Sequence, residues 1–289
     1  MPHTWPNGRT LLSLARLPGL ITVWSNCLAG WLLSGGDTHS PARLLWCSLG
    51  ASCLYLGGTF LNDFFDVDFD RQQRPNRPIP AGLVARDVVG QLGILWLIAG
   101  GAILVLGARV GLTLALMLAV AVFAYNLIHK ATELSPLLLG FCRFLLYLLA
   151  GATAPNGLAG IAIWSGLAIG CYIAGLSWFA RRQGIRGPIR RWPLVLLAVP
   201  LGLAWISNAD GDRHVAVALG LLLCLWILPW LSHALREREP NIRMTVSGLT
   251  AGIVLVDLLA VGGHSTIVTL VFAALFLTVL LAQRYLPES

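Results

Sequence analysis

Ten apolar stretches occupy most of this 289-residue chain, at about residues 11–32, 44–65, 88–107, 110–128, 137–153, 159–180, 193–207, 215–235, 246–262 and 265–283. Each is near the length that crosses a bilayer. Inside lipid a backbone amide finds no water, so segments of this kind can satisfy their own polar groups only as helices. The expected fold class is therefore all-α, a polytopic transmembrane helix bundle forming a single domain over residues 1–289. The ninth stretch is the weakest of the ten, since Gly248, Gly252 and Asp257 interrupt it. A soluble domain is excluded by composition, with 57% hydrophobic and 11% charged residues and a mean hydropathy of +0.76. The first apolar run is broken by Arg16 and Pro18 and lacks a small-residue cleavage site, which argues against a removed signal peptide.

A pI of about 9.5 could point to nucleic acid, but the basic residues are placed as topology signals. Arg71, Arg74, Arg77 and Arg86 lie in the second connection, His129 and Lys130 in the fourth, Arg181, Arg182, Arg186, Arg190 and Arg191 in the sixth, and Arg236, Arg238 and Arg243 in the eighth. The odd connections carry only Arg43, Arg109 and Arg213. Positive charge gathers on the cytoplasmic side, so the N-terminus and the even connections are expected there. The expected surroundings are membrane lipids, with no nucleic acid. Cys27, Cys47, Cys53, Cys142, Cys171 and Cys224 all fall inside apolar stretches and read as small packing residues. Trp5, Trp31, Trp46, Trp192 and Trp205 lie near segment ends, as interfacial anchors do.

The second stretch runs into a cluster of acids, Asn62-Asp63-Phe-Phe-Asp66-Val-Asp68-Phe-Asp70. Carboxylates bordering a membrane segment are expensive and mark function more often than chance. If the helix continues through them, Asp63, Asp66 and Asp70 stand at i, i+3 and i+7 on one face, with Asn62 one turn before Asp66, and Asp68 points elsewhere. Three carboxylates on a face can hold a hard cation, and Mg²⁺ uses one or two carboxylates together with substrate phosphates. The competing reading is a solvated acidic helix end. Pro75, Pro78 and Pro80 must stop the helix near Arg74 and leave a basic loop beside the acids, with Gly82 at a turn. There Arg74 and Arg77 can offer guanidinium forks to phosphate, or serve topology alone.

From Asn62 to Gly82 the chain resembles the first aspartate-rich motif of the UbiA superfamily of intramembrane prenyltransferases, N-D-x-x-D-x-x-x-D followed by an R-P-x-x-x-G-like loop. Diffuse similarity extends to Arg16, Pro18, Asn26, Tyr125 and Lys130. The resemblance implies a bundle of typically nine spans around a cavity open to lipid, which with the ten stretches puts the count at nine or ten. It further implies that Asp63, Asp66 and Asp70 are catalytic and bind Mg²⁺ with a prenyl diphosphate, whose allylic group passes to a small-molecule or lipid acceptor, often aromatic.

The family's second aspartate-rich motif, at the end of the sixth segment, has no counterpart in Tyr172-Ile-Ala-Gly-Leu-Ser177-Trp-Phe-Ala-Arg181-Arg182-Gln183-Gly184, which holds no carboxylate. In this the chain is similar to an EboC-like branch from bacterial biosynthetic clusters, which implies a bacterial inner membrane, while the placement of the basic residues turns the acidic site toward the cytoplasm. Departing negative charge can be stabilised by metals or by preorganised cations. Arg181, Arg182 and Lys130 are accordingly candidates to bind diphosphate.

Polar residues within the other stretches need partners. Arg143 is expected either in the cavity, on acceptor or diphosphate, or in a structural pair with a buried acid such as Asp257. Asn26 is expected either to bond between helices or to line the cavity. Tyr125 and Tyr172 could set π faces against an allylic cation, or simply pack. The leading functional reading is a Mg²⁺-dependent prenyltransferase. The alternatives are a lipid-binding or transport-related protein that has lost turnover, and a CDP-alcohol phosphatidyltransferase-like enzyme, whose D-G-x-x-A-R opening is missing.

Overall fold

The computed structural model describes residues 6–37, 41–181, 191–207, 213–237 and 240–285. All ten apolar stretches are helical, the first divided between two helices, and the described residues contain no strand. The elements are α1 (Gly8–Ala15), α2 (Leu17–Leu33), α3 (Pro41–Gln73), α4 (Arg86–Ala102, prolonged by a π-helical turn over Ile103–Gly107), α5 (Leu112–Ile128), α6 (Ser135–Ala152), α7 (Gly160–Ala180), α8 (Pro193–Ser207), α9 (Arg213–Arg236), α10 (Ile242–Val261) and α11 (Thr266–Tyr285). Among the described residues seven helices are long and apolar enough to cross a membrane, and the bent pair α1–α2 makes an eighth. Helices α5 and α8 are apolar but have only 17 and 15 residues.

Burial sorts the helices into layers. Helix α10 is the most enclosed, with 78% of its apolar stretch covered by protein, followed by α7 at 67% and α6 at 56%. For α9 and α11 the figure is 11%, so these two helices stand at the periphery of the bundle. Gly248 and Gly252, which weaken the ninth stretch in the sequence, sit in an unbroken helix. A Cβ at Gly248 would meet the Trp230 ring at 2.5 Å, and one at Gly252 would meet the Tyr172 hydroxyl at 2.5 Å. Their small size admits neighbouring side chains, the usual role of small residues between membrane helices.

Two features position the site. The first is the 53° bend between α1 and α2 at Arg16, whose backbone is left-handed at φ 44°. Pro18 starts α2 in the first helical turn, and the Tyr55 hydroxyl donates to the Arg16 carbonyl at 3.0 Å. The second is the length of α3, whose 33 residues span about 50 Å at 1.5 Å per residue, more than the hydrocarbon core needs. Its last turns, carrying the acids, therefore extend to the edge of the bundle. The helix ends at Gln73, one residue before the place the prolines dictate, and the loop then curls back through Ala81 N–H to Arg77 O and a left-handed Gly82 at φ 72°.

Candidate active site

Asp63, Asp66 and Asp70 share the inner face of α3 and are all buried, whereas the Asp68 side chain is 76% exposed and pairs with Arg71 on the helix surface. The helical register thus sorts the four acids as their spacing requires. The inner three are neutralised by cations from three other parts of the chain. Arg16, delivered by the α1–α2 bend, donates to Asn62 Oδ1 at 2.7 Å and to Asp63. Arg77, returned by the proline loop and itself buried, reaches Asp70 at 2.8 Å and Asp63 at 3.2 Å. From the end of α5, Lys130 Nζ lies 2.7 Å and His129 Nε2 3.0 Å from Asp66 Oδ1. Lys130 also stands 4.5 Å over the Phe69 ring, with Arg74 on the same ring at 6.0 Å. Desolvation, and after it the nearby Arg77, lowers the Arg74 pKa from its usual value.

A cavity of about 270 Å³ opens beside this cluster, beginning at Arg16 and Asn62 and running between α2, α3, α5, α6, α7 and α10. Leu54, Val122, Leu146 and Ile173 make much of its wall apolar, and Tyr125 lines it with its ring 5.5 Å from that of His129. Arg143 lies further in. It donates to Asn26 Oδ1 at 2.7 Å and Thr22 Oγ1 at 3.1 Å, and its guanidinium is 6.0 Å from the Tyr55 ring. Asn26 in turn donates to Asp257, which also accepts from Ser25 and Tyr147.

Several expectations are corrected. Tyr172 does not line the cavity. It is fully buried, its hydroxyl given to the Leu249 carbonyl at 2.9 Å, so it packs α7 on α10. Asn26, fully buried as well, is an interhelical bridge and not a cavity residue. Arg143 makes no direct pair with Asp257 but reaches it through Asn26. Arg181 spends Nη1 on the carbonyls of His129 and Thr132, at 3.3 and 2.6 Å, and on Ser135 Oγ at 2.6 Å. It ties down the α5–α6 connection that carries His129 and Lys130, where a direct phosphate contact had been expected. Arg182 lies outside the described residues. Trp31, expected at an interface, is buried over Gly36.

Sequence reasoning passed over Arg16, His129 and Phe69 as site residues. Two of them carried a signal: an arginine interrupting an apolar run requires a partner, and His129 adjoins a lysine already singled out.

The UbiA prenyltransferase family matches residues 23–241. A protoheme IX farnesyltransferase from Anaeromyxobacter dehalogenans is 31% identical, covering 78% of this chain and 84% of the relative. Digeranylgeranylglyceryl phosphate synthases of Sulfurisphaera tokodaii and Ignicoccus hospitalis are 25% and 33% identical over 40% and 36% of the chain. In those two the matched region spans 42% and 31% of the relative's length. Among solved structures, the apo form of a UbiA homolog from Aeropyrum pernix K1 superposes with a TM-score of 0.66 at 17% identity, covering 82% of this chain and 94% of that one. A structure described as concerning digeranylgeranylglyceryl phosphate synthase in membranes gives 0.60 at 16% identity, covering 93% and 97%. At such identities the structures speak to the fold alone, but the extent of the family match decides membership: this chain is an integral, multi-pass membrane protein of the UbiA prenyltransferase family.

Proposed function

We propose that the protein transfers an isoprenyl group from a prenyl diphosphate to a small-molecule or lipid acceptor, with Mg²⁺ at the aspartates. The carrying observation is the coincidence, at the mouth of one apolar cavity, of three buried carboxylates on one helix face with cations from three separate elements. The relatives' names, a protoheme IX farnesyltransferase and digeranylgeranylglyceryl phosphate synthases, support an isoprenyl donor.

The residues suit a hard cation. Asp70 Oδ1 is buried and accepts no hydrogen bond, an arrangement that is costly unless a positive partner completes it. Among the described residues no three His, Cys, Asp or Glu side chains converge on one point, so the fit is to an ion held by one or two carboxylates plus substrate phosphates. Asp66 and Asp70 would hold it, and bound there it would neutralise charge building on the departing diphosphate. The chain's own cations act on the same charge. Lys130, with 42% of its side chain exposed, and Arg16, which lines the cavity, reach the region between acids and cavity where phosphates would lie. Asn62 is held against Arg16, and the apolar wall shields the reacting carbon from water and accepts the tail. Tyr125, at the mouth, offers a π face to developing allylic charge.

The deciding experiment incubates purified protein in nanodiscs with Mg²⁺, radiolabelled prenyl diphosphates of several lengths and a lipid extract. Transfer of label to a lipid-soluble product, abolished by EDTA, is expected. Retention of the donor without turnover would favour the lipid-binding reading. That reading draws on α7, whose terminal arginine is spent on a loop where acids would have held a second metal.

A further inference from the structure

At the end of α3 opposite the aspartates stand two arginines, Arg43 and Arg109, that the topology signal of the even connections does not account for. Both are exposed, and among the described residues neither side chain has a hydrogen-bond or ion-pair partner. The described connections at this end hold one acid, Asp37, which has contacts of its own.

The packing of α3 on α4 brings the two arginines together. These helices run antiparallel along a seam of glycines, in which a Cβ at Gly57 would meet Leu97 at 2.7 Å, one at Gly50 would meet Leu104 at 2.7 Å, and one at Gly107 would meet the Trp46 ring at 2.9 Å. Trp46 and Gly107 are therefore level with each other. From Trp46, Arg43 lies three residues back, within one turn and on the same face of α3. From Gly107, the chain reaches Arg109 in two residues, at most about 7 Å, and runs in the same direction, away from the aspartates. Arg43, Trp46 and Arg109 thus share one edge of the bundle.

The backbone at Arg109 is strained. With φ 57° it is, with Arg16, one of two described non-glycine residues in the left-handed region, where glycine rests without cost and other residues do not. The chain is forced there as α4 widens into its π-helical turn: Ala108 N–H donates to the Ile103 carbonyl at 3.1 Å and Val110 N–H to that of Leu104 at 3.0 Å. Glycines stand on either side, at 107 and 111, yet the strained position carries an arginine. Strain held at an irregular turn is a mark of function, and here the side chain is what the strain presents. Beside it, Trp46 is 47% exposed and Leu106 80% exposed, an apolar surface that a soluble anion has no use for.

We propose that Arg43 and Arg109 together bind the headgroup phosphate of an anionic phospholipid, in the leaflet opposite the aspartates. Trp46 sits at the headgroup level, as interfacial indoles do, and Leu106 lies along the acyl chain. Two guanidinium forks converging on one phosphodiester give the lipid its orientation, and the negative headgroup neutralises charge that no side chain pairs. The site lies away from the prenyl-transfer machinery and does not depend on that reading.

Thermal unfolding in detergent micelles, with phosphatidylglycerol, phosphatidylcholine or soluble glycerol 3-phosphate added, tests it. For the wild-type protein phosphatidylglycerol should raise the midpoint several degrees above phosphatidylcholine, and glycerol 3-phosphate should not. Arg109→Gly separates strain from binding: in detergent alone its midpoint should rise, by roughly 2–4 °C, while most of the phosphatidylglycerol increment is lost. Arg43→Gln should lose the increment too, and Arg109→Lys should keep part of it. Arg213→Gln, which alters an arginine at the same end but over Trp205, should leave the increment intact. Native mass spectrometry should show a retained phosphatidylglycerol on the wild-type protein that Arg43→Gln and Arg109→Gly lack. Equal wild-type midpoints in the two lipids, a comparison that needs no variant to fold, would overturn the proposal. So would an increment that survives both Arg43→Gln and Arg109→Gly, or one that Arg213→Gln removes as well. Stabilisation by glycerol 3-phosphate equal to that by phosphatidylglycerol would overturn the lipid assignment, and a lower midpoint for Arg109→Gly in detergent alone would overturn the argument from strain.

Discussion

Asp66 and Asp68 are two residues apart and belong to different environments. Asp66 is buried against His129 and Lys130, and Asp68 stands in solvent against Arg71. Asp66→Asn should therefore abolish Mg²⁺-dependent retention of radiolabelled geranylgeranyl diphosphate, while Asp68→Asn leaves most of it, since an exposed pair contributes about 0–1 kcal/mol. Equal losses would remove the one-face argument. Arg181 makes a different residue-level claim. Because its contacts are to the connection that carries His129 and Lys130, Arg181→Met should speed amide exchange across residues 129–134 and cost about 1–3 kcal/mol of stability through unpaired carbonyls. Unchanged exchange with weakened diphosphate binding would return Arg181 to a direct phosphate contact.

At the scale of elements, helix seams depend on glycine. A Cβ at Gly140 of α6 would come within 2.3 Å of the Gly170 carbonyl of α7, and backbone cannot yield as a side-chain tip can. Gly140→Val should lower the thermal midpoint, with a cost of about 1–3 kcal/mol or more, and a melting curve in detergent checks it. The helices themselves were legible in the sequence because apolar length is a one-dimensional property, and so was the aspartate face, which needs only the helical period. What Arg16, His129, Tyr172 and Arg181 do was not, because each answer depends on which distant element stands opposite. Arg16 and Asp63 are 47 residues apart, Arg181 and Thr132 are 49, and nothing in the local sequence records that pairing. The amide of Asn26 read equally well as bridge or cavity residue until α10 supplied its acid.

For the whole molecule, the contacts of Arg77, Lys130 and Arg181 place the second, fourth and sixth connections at one end of the bundle. That end is where basic residues gather in the sequence, so it should face the cytoplasm. Glu133→Cys and Asn156→Cys, both at exposed positions just beyond opposite ends of α6, should then react with a membrane-impermeant maleimide from opposite sides of sealed vesicles. Labelling of both from one side would overturn the orientation.

The bridge from Asn26 to Asp257 also sets a timetable for biogenesis. The two residues are 231 positions apart, so at roughly 5–20 residues per second the ribosome delivers the acid on the order of ten to fifty seconds after the amide. Arg143 enters the nascent bundle during that interval, before the carboxylate at the far end of its hydrogen-bond chain exists. Until α10 is made, the Arg143–Asn26 pair lacks the carboxylate that ends its hydrogen-bond chain, and the arrival of α10 completes it. A chain ended before Ile242 should accordingly insert yet stay protease-sensitive, and adding α10 as a separate peptide should restore resistance, so the last-made inner helix acts as the keystone of assembly.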